Sequence, residues 1–208
     1  MKFLRHLAVL AVAPLLLAGC KQSAGNPASE AQPAAQPAAA PEIVTGKTAF
    51  WEMYKTAHAW ESDAEPMRIT EKEVPGYPNK DGKAGMWEAV FGSPSQRSYR
   101  TFTYAIVDGP PGISKGVAAG IAMPWGGETR DAMPIDVSSF NVDSDAAYAA
   151  AAADAAGWLK ANPGKELGAL EAGQTYKVPD PVWYIMWGTK SAGYALLVDA
   201  NTGKVIHK

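Results

Sequence analysis

The chain has 208 residues, of which 47% are hydrophobic and 19% charged, and its formal net charge at pH 7 is -2. This length allows one or two domains. The mildly acidic balance, without clusters of Lys or Arg, excludes the basic surface typical of nucleic-acid-binding proteins. Because Cys20 is the single cysteine, the remainder of the chain can form neither disulfides nor cysteine metal sites.

The N-terminal segment, residues 1–19, has the composition of an export signal. A basic stretch, Met1–His6, precedes the apolar stretch Leu7–Leu16, which is too short to span a bilayer as a helix. The segment continues into Leu17-Ala-Gly-Cys20, which resembles a bacterial lipobox. The resemblance implies cleavage before Cys20 and a diacylglycerol thioether on its sulfur, so that acyl chains such as palmitate hold the protein on a membrane. An ordinary secretory signal with an incidental cysteine is the alternative.

The lipobox resemblance also bears on location and charge. By the sorting habit of lipoproteins, Lys21 after the cysteine, rather than Asp, favours the outer membrane, facing the periplasm. Removal of residues 1–19, which contain Lys2 and Arg5 and no acid, moves the formal charge from -2 to -4.

Residues 20–42 are rich in Ala, Pro and Gln and carry almost no large apolar side chain, so they predict a disordered tether.

Two amphipathic helices are predicted. The first covers about residues 47–62, with Thr45 or Thr48 as its N-cap, and the second about residues 144–161, with Asp143 or Ser144 as its N-cap. The second ends at Asn162-Pro-Gly164. Both have a stripe of apolar side chains at helical spacing, formed by Phe50, Met53, Tyr54, Ala57 and Trp60 in the first helix and by Tyr148, Ala151, Ala152, Ala155, Trp158 and Leu159 in the second.

Strands are predicted where apolar residues alternate or run together between turn-forming residues. In Tyr99–Val107, for example, Phe102, Tyr104 and Ile106 share one face. The continuous apolar run Val182–Trp187 indicates a strand buried on both faces. The predicted strands are Met67–Val74, Met86–Phe91, Tyr99–Val107, Ile135–Val142, Gln174–Val178, Pro181–Trp187, Ala192–Val198 and Lys204–His207, the last two joined by a hairpin turn at Asp199–Gly203.

An internal duplication organises these elements. The matches in order are Phe50 with Tyr148, Trp60 with Trp158, Trp87 with Trp183, Phe91 with Trp187, Gly92 with Gly188, Tyr104–Asp108 with Tyr194–Asp199, and Val117 with Val205. Self-similarity of this kind predicts repeated structural units. The predicted fold class is therefore α+β, with two related units, residues 43–142 with extra strands and residues 143–208, each a helix packed on an antiparallel β-sheet. Chance matching of aromatic and glycine positions is the alternative.

The closing stretch of the second unit, Tyr194–Val205, contains an apolar strand followed by Asp199-Ala-Asn-Thr-Gly-Lys. This pattern resembles the PepSY-type domain. The resemblance is good over Asp145–His207 and poor over Lys47–Val117, where Asp108-Gly109 stands in place of the longer turn. It implies an exported α+β module, usually non-enzymatic and sometimes associated with protease inhibition or envelope regulation, with no catalytic residues. A tandem pair also resembles the layout of beta-lactamase inhibitory protein, as an analogy of fold alone.

Three motifs permit a chemical interpretation beside a structural one. Thr45-Gly-Lys-Thr48 has the tail of a P-loop, but Pro41 stands where that loop needs glycine, which favours a helix N-terminus. Asp199-x-Asn-x-Gly203 begins like a calcium loop and lacks its later acids, which favours a hairpin turn. The mature chain contains only His58 and His207, too far apart to predict zinc, and no nucleophile elbow accompanies His58 as a base. No cofactor, metal or enzymatic activity is therefore predicted.

Trp125 differs from the other six tryptophans because it lies in the Pro/Gly-rich loop Pro124–Glu128, outside the repeat. It is either a contact residue for a partner or part of a loop folded back over the core.

The sequence thus predicts a membrane-anchored envelope lipoprotein acting as a non-catalytic protein-binding, inhibitory or regulatory module, with contacts from Trp125 or a sheet face. A glycan- or peptidoglycan-associated lipoprotein is the alternative, and an enzyme is a third hypothesis.

Overall fold

A computed structural model describes residues 40–110, 112–178 and 180–206. The export signal, Cys20, nearly all of the predicted tether and His207 lie outside the described residues. The elements in chain order are β1 Val44–Thr45, α1 Gly46–Trp60, β2 Glu65–Lys72, β3 Lys83–Ala84, β4 Met86–Ser93, β5 Ser98–Ala105, β6 Gly116–Ala119, β7 Met123–Pro124, α2 Ser144–Asp154, α3 Ala156–Ala161, β8 Leu167–Gly173, β9 Val182–Trp187, β10 Tyr194–Asp199 and β11 Val205–Ile206.

The first helix forms as its apolar stripe predicts. Thr45 is the N-cap, and its side chain accepts a hydrogen bond from the backbone N–H of Thr48. Phe50, Met53 and Ala57 are fully buried, since they lie on one face at helical spacing.

The second predicted helix is two helices, α2 and α3, separated at Ala155. The break leaves Ala155 buried, and its N–H still donates to the carbonyl of Ala151. The predicted end is confirmed: Asn162 is the C-cap of α3, and Gly164 takes a positive φ of 83° that glycine adopts without steric cost.

The fold is α+β with a large antiparallel sheet. Its strands follow the order β11-β10-β9-β8-β2-β4-β5-β6, and β7 pairs with β5 beside β6. The boundary predicted at residue 143 does not divide this sheet, because β2 pairs directly with β8, with Ile69 opposite Ala172. Residues on both sides of that boundary belong to one compact unit and share one hydrophobic core.

Strand order is the same on both sides of the central β2–β8 pair. Outward from the centre, β2, β4, β5 and β6 follow one another on one side, and β8, β9, β10 and β11 on the other. The pairing of each central strand with its outer neighbour is interrupted once, between Pro66 and Arg68 in β2 and between Leu167 and Ala169 in β8.

Cross-strand register corrects one part of the internal alignment. Trp87 lies opposite Tyr104 on β5, whereas Trp183 lies opposite Val198 on β10. Val198 therefore occupies the position of Tyr104, and the match of Tyr104 with Tyr194 is wrong as a structural equivalence. The register depends on the length of the turn between the strands, which similar local composition does not reveal.

Two predicted strands are wrong. In Ile135–Val142 the Asp136 carboxylate accepts hydrogen bonds from the N–H and the hydroxyl of Ser138, which favours a turn over extended pairing. Its apolar residues are core residues nevertheless, since Ile135 and Phe140 are buried. In Gln174–Val178 only Gln174 makes a β-bridge, to Met133.

The central strand β8 has no counterpart among the predicted strands. Its sequence, LGALEAG, is rich in Gly and Ala, residues with low intrinsic preference for strands. Pairing with β2 on one side and β9 on the other makes this segment a strand.

The N-termini of α1 and α2 meet above a pair of buried indoles. Trp87 and Trp183 pack edge to face, with ring centroids 6.2 Å apart, and their indole N–H groups donate to the carbonyls of Val44 and Val142, just before the two helix caps. A Cβ atom built on Gly46 would lie 2.6 Å from the ring of Trp183 and 3.2 Å from that of Trp87.

Ser144, the first residue of α2, links the two helices. Its buried hydroxyl accepts the N–H of Gly46 at 2.7 Å and donates to the carbonyl of Gly82 at 2.6 Å. The Asp143 carboxylate accepts the N–H groups of both Lys47 and Ser144. The first backbone donors of α1 are thus satisfied by the caps of α2, as buried donors require.

We expect Gly46→Ala to lower the free energy of unfolding by roughly 1–3 kcal/mol, because the new methyl group must displace a buried indole. Gly157→Ala is the matched control: Gly157 lies in α3 with nothing within 4 Å of a built Cβ, and alanine there should be neutral or stabilising by up to about 1 kcal/mol. Urea denaturation of the purified variants measures both values. Equal stabilities would contradict the tight contact at Gly46.

Candidate binding site on the open face of the sheet

Both helices pack against the same face of the sheet. Phe50 of α1 stacks on Phe91 of β4 with centroids 6.1 Å apart, and Tyr148 of α2 contacts Trp187 of β9 at 5.9 Å. Because side chains alternate along a strand, the neighbouring residues project from the other face, here called the open face. It carries Arg68, Thr70, Glu88, Val90, Gly92, Tyr99, Thr101, Glu171, Gly173, Val182, Tyr184 and Leu197.

A pocket of about 760 Å³ lies on the open face, within the size range of ligand-binding clefts. Apolar and aromatic side chains contribute much of its lining, namely Val90, Tyr99, Val182, Tyr184, Leu197 and Ile206. Arg68 and Glu171, on the adjacent central strands β2 and β8, place one charge of each sign in the middle of this lining.

One wall of the pocket includes residues from the segment 125–133, here called the strap. At one end, the N–H of Trp125 donates to the carbonyl of Arg97 at 2.9 Å. At the other end, the N–H of Met133 donates to the carbonyl of Gln174, and the N–H of Tyr176 donates to the carbonyl of Arg130, both at 3.0 Å. The strap therefore runs from the beginning of β5 to the loop that follows β8.

The Arg130 guanidinium strengthens this attachment. It lies over the ring of Tyr176, with Cζ 3.9 Å from the centroid, a distance at which a cation is attracted to the face of an aromatic ring. The strap and the loop 174–178 thus hold each other at the edge of the pocket.

Trp125 packs against the sheet at Gly92. A Cβ atom on Gly92 of β4 would be 2.9 Å from two carbons of the Trp125 ring, so only a glycine leaves room for the indole there. The residue is half-buried and lines the pocket. The loop is folded back, as one of the two interpretations of Trp125 predicts, but onto the open face and not onto the core between sheet and helices.

Gly173 leaves the floor of the pocket open. It lies between Arg68 of β2 and Val182 of β9, and the nearest atom to a Cβ built on it would be the carbonyl oxygen of Met67, at 3.7 Å. A side chain could therefore be added here without displacing its neighbours, and it would reduce the volume of the pocket.

Several residues of this pocket are not predicted as site residues from the sequence. Gly92 was visible only as a repeat match, and Tyr184 lies within a continuous apolar run that hides which face it occupies. Glu171 is the charged residue in a strand of otherwise apolar or small residues, LGALEAG, and this interruption is the signal that could have identified it. Arg68 lies among other polar residues in β2, EPMRITEK, and has no such signal. The proximity of Arg68 and Glu171 depends on the β2–β8 pairing.

The structure does not bring His58 to this pocket. His58 lies on α1, on the opposite side of the sheet, with its ring 4.2 Å from that of Tyr54 and its Nδ1 3.0 Å from the carbonyl oxygen of Ser62. Over residues 40–110, 112–178 and 180–206, no three side chains of His, Cys, Asp or Glu are grouped so that they could hold a metal ion.

The motif Thr45-Gly-Lys-Thr48 begins α1, as the structural interpretation predicts. The backbone N–H groups of Gly46 and Lys47, which a P-loop would offer to phosphate, donate to the side chains of Ser144 and Asp143.

The Asp199–Gly203 motif is a hairpin turn, also as predicted. The Asp199 carboxylate accepts the N–H groups of Asn201 and Thr202 at 2.8 and 2.9 Å, and Gly203 has a φ of 76°. The carboxylate therefore stabilises the turn itself.

No family model and no curated protein matches the chain. A crystal structure of a lipoprotein candidate from Clostridium difficile 630 is similar in fold with a TM-score of 0.47 and 8% sequence identity, covering 76% of this chain and 90% of the other. In the part of the chain that the structure describes, no helix is long and apolar enough to cross a membrane.

The carboxyl group of Glu71 has a raised pKa, and it lies away from the pocket. Burial raises this pKa from 4.5 to about 7, against the opposing effect of a hydrogen bond from Asn79 and with a smaller contribution from the negative charge of Glu73. Glu71 lies opposite Trp87 in the β2–β4 pair and therefore on the helix side of the sheet.

Glu71→Gln should stabilise the protein at pH 8 by between roughly 1 and 3 kcal/mol, because the wild type must then hold a partly buried carboxylate. The folded state binds its proton more tightly than the unfolded state, so the wild type loses stability as the pH rises from about 4.5 to about 7, and the two proteins should converge below pH 4.5. Thermal denaturation between pH 4 and 8 tests this.

The exposed Glu52, which pairs with Lys55 on α1, provides the control. Glu52→Gln should change stability by no more than about 0.5 kcal/mol at any pH in this range. A stability difference for Glu71→Gln that does not vary with pH would rule out titration of Glu71 as the cause.

Proposed function

We propose that this protein is a membrane-anchored envelope lipoprotein that binds another envelope protein through the pocket on the open face, without catalysing a reaction. The observation that carries the proposal is the pocket itself. Trp125 and Tyr99 at one side and Tyr184 at the other offer large apolar surfaces, and residues of this type are enriched at the centres of protein interfaces.

The charges within the pocket favour a protein as the partner. Arg68 and Glu171 in the lining, with Lys177 and Asp131 in the walls, present both signs at fixed positions around apolar surface. A protein segment can place an apolar side chain against such a surface and complementary charges around it. An inhibitory or regulatory role follows if that segment belongs to the working site of the partner.

The architecture suits such a module. The repeated strand order on both sides of β2–β8, the interruptions at corresponding points of β2 and β8, and the matching indole hydrogen bonds of Trp87 and Trp183 support the proposal of two related PepSY-like units joined into one sheet.

The membrane anchor is proposed from the lipobox-like Leu17–Cys20 segment. Lipidation at Cys20 would place the folded part at the end of the tether, residues 20–42, and Lys21 favours the outer membrane, facing the periplasm. A tether rich in Ala and Pro would let the open face approach a partner away from the lipid surface.

Binding of glycan or peptidoglycan is the second candidate. One observation favours it: Tyr99 and Trp125 are partly exposed aromatic rings beside the same pocket, and sugars stack on such rings. The two candidates therefore share residues and differ in the class of molecule that is captured.

Site-specific photocrosslinking in the source bacterium tests the proposed function. A benzoylphenylalanine in place of Tyr99, in the pocket, should crosslink to an envelope protein, whereas the same group in place of Trp51, an aromatic on α1 that is 40% exposed, should not. Trp125→Ala and Gly92→Ala should each reduce the Tyr99-site crosslink about tenfold or more, the loss expected from removing or displacing one aromatic anchor.

Gly126→Ala is the control for Gly92→Ala, since a Cβ on Gly126 meets nothing within 4 Å. It should leave the crosslink unchanged. Crosslinking that is equal from both positions, or insensitive to Trp125→Ala, would overturn the proposed site. Co-sedimentation with purified peptidoglycan that Trp125→Ala abolishes, without any protein crosslink, would establish the glycan alternative instead.

The anchor has its own test. Cys20→Ser should abolish incorporation of labelled palmitate and release the protein from a tight membrane association, because no acyl chain would then be attached. Unchanged labelling in Cys20→Ser would show that the cysteine is incidental.

A further inference from the structure

At one end of the sheet lies β6, a strand with a neighbour on one side only. Its inner edge pairs with β5, and no strand in the described part of the chain pairs with its outer edge. The N–H of Gly120 donates to the carbonyl of Thr101 on β5. Since backbone groups alternate in direction along an antiparallel strand, those of Val117 and Ala119 point away from the sheet.

This edge lacks one common protection against strand pairing, that of charged side chains. Exposed edge strands of soluble proteins commonly carry charged side chains that discourage association. Here no charged residue occurs between Lys115 and Glu128. Instead the stretch exposes apolar surface: Ile121 is 79% exposed and Met123 is 42% exposed.

We propose that residues 116–122, which comprise β6 and the three residues after it, pair with the same residues of a second copy of this chain, in an antiparallel arrangement symmetric about Ala119. In this register Val117 lies opposite Ile121 of the other copy, and no charge faces a like charge. The outward backbone groups of Ala119 in the two copies bond to each other. The segment contains no charged or aromatic side chain that would select a foreign strand, whereas its own sequence is complementary under a two-fold axis.

The same edge limits the contact to a short length. Gly120–Ala122 is not a regular strand, and Pro124 has no N–H to donate. A pair of this size buries less than the roughly 1,000 Å² of a stable interface in solution. The association is therefore weak between free molecules and is favoured where a membrane anchor raises the effective concentration. The pairing itself does not depend on the pocket or on its partner.

Cysteine crosslinking of the full chain in native membranes tests this pairing. Two Ala119 residues in a bonded antiparallel pair have Cα atoms about 5.5 Å apart, within the range of a disulfide. Under mild oxidation, Ala119→Cys should give a covalent dimer in about tenfold higher yield than Ala153→Cys, a similarly exposed alanine on α2. The wild-type protein, oxidised in the same way, is the control for any disulfide-linked dimer that forms through Cys20.

Adding Ile121→Lys to Ala119→Cys should lower the dimer yield about tenfold, because the substitution removes the apolar contact with Val117 and places charge in the pair. Ala153→Lys in the same background should have no effect. A dimer yield for Ala119→Cys no greater than that for Ala153→Cys, or one insensitive to Ile121→Lys, would overturn the proposal. Neither result alters the photocrosslinking test of the pocket.

Discussion

The contact between the Trp87 and Trp183 indoles, above a glycine, positions most of the remaining structure. The two rings lie in different halves of the sheet, and their hydrogen bonds to Val44 and Val142 hold the chain just before each helix. Gly46 supplies the space that the rings occupy. Because both helix N-termini are held at this one place, both helices lie on the same face of the sheet, and their apolar stripes form a single core.

The two helices cover one face of the sheet and leave the open face without a helix. Over the residues that the structure describes, the sheet has nine strands, and it has apolar side chains on both faces, since β9 is almost continuously apolar. The strap covers part of the open face, with Trp125 packed on Gly92, and the remainder is the pocket. Antiparallel sheets often present one face to solvent with polar side chains, and the aromatic and aliphatic lining here departs from that pattern. This departure is the physical basis for the proposal that the face binds a partner.

The site was partly accessible from the sequence. Trp125 is recognisable because an aromatic side chain in a Pro/Gly loop outside the repeat needs a specific explanation. The residue against which Trp125 packs is not recognisable, because nothing in the local sequence distinguishes Gly92 from the turn glycines around it. Arg68 and Glu171 are about a hundred residues apart in sequence, and they become neighbours only when β2 pairs with β8. The predicted strand Ile135–Val142 is wrong because the sequence shows apolar residues but not how they are buried. Ile135 and Phe140 are buried without being in a strand, and Asp136 accepts hydrogen bonds that stabilise a turn.

Local periodicity and turn chemistry in the sequence alone determined the two helical regions, the Asp199–Gly203 hairpin and most of the strands. These features depend on residues within a few positions of one another, where 3.6-residue and two-residue repeats are direct evidence of which side chains share a face. Tertiary structure alone decided that β8 is a strand, that both halves form one sheet, and that a pocket opens on its uncovered face. Each of these depends on partners far apart in the chain, such as the Gly46–Ser144 hydrogen bond across 98 residues, and the free energy of such pairing comes from packing that no local pattern encodes.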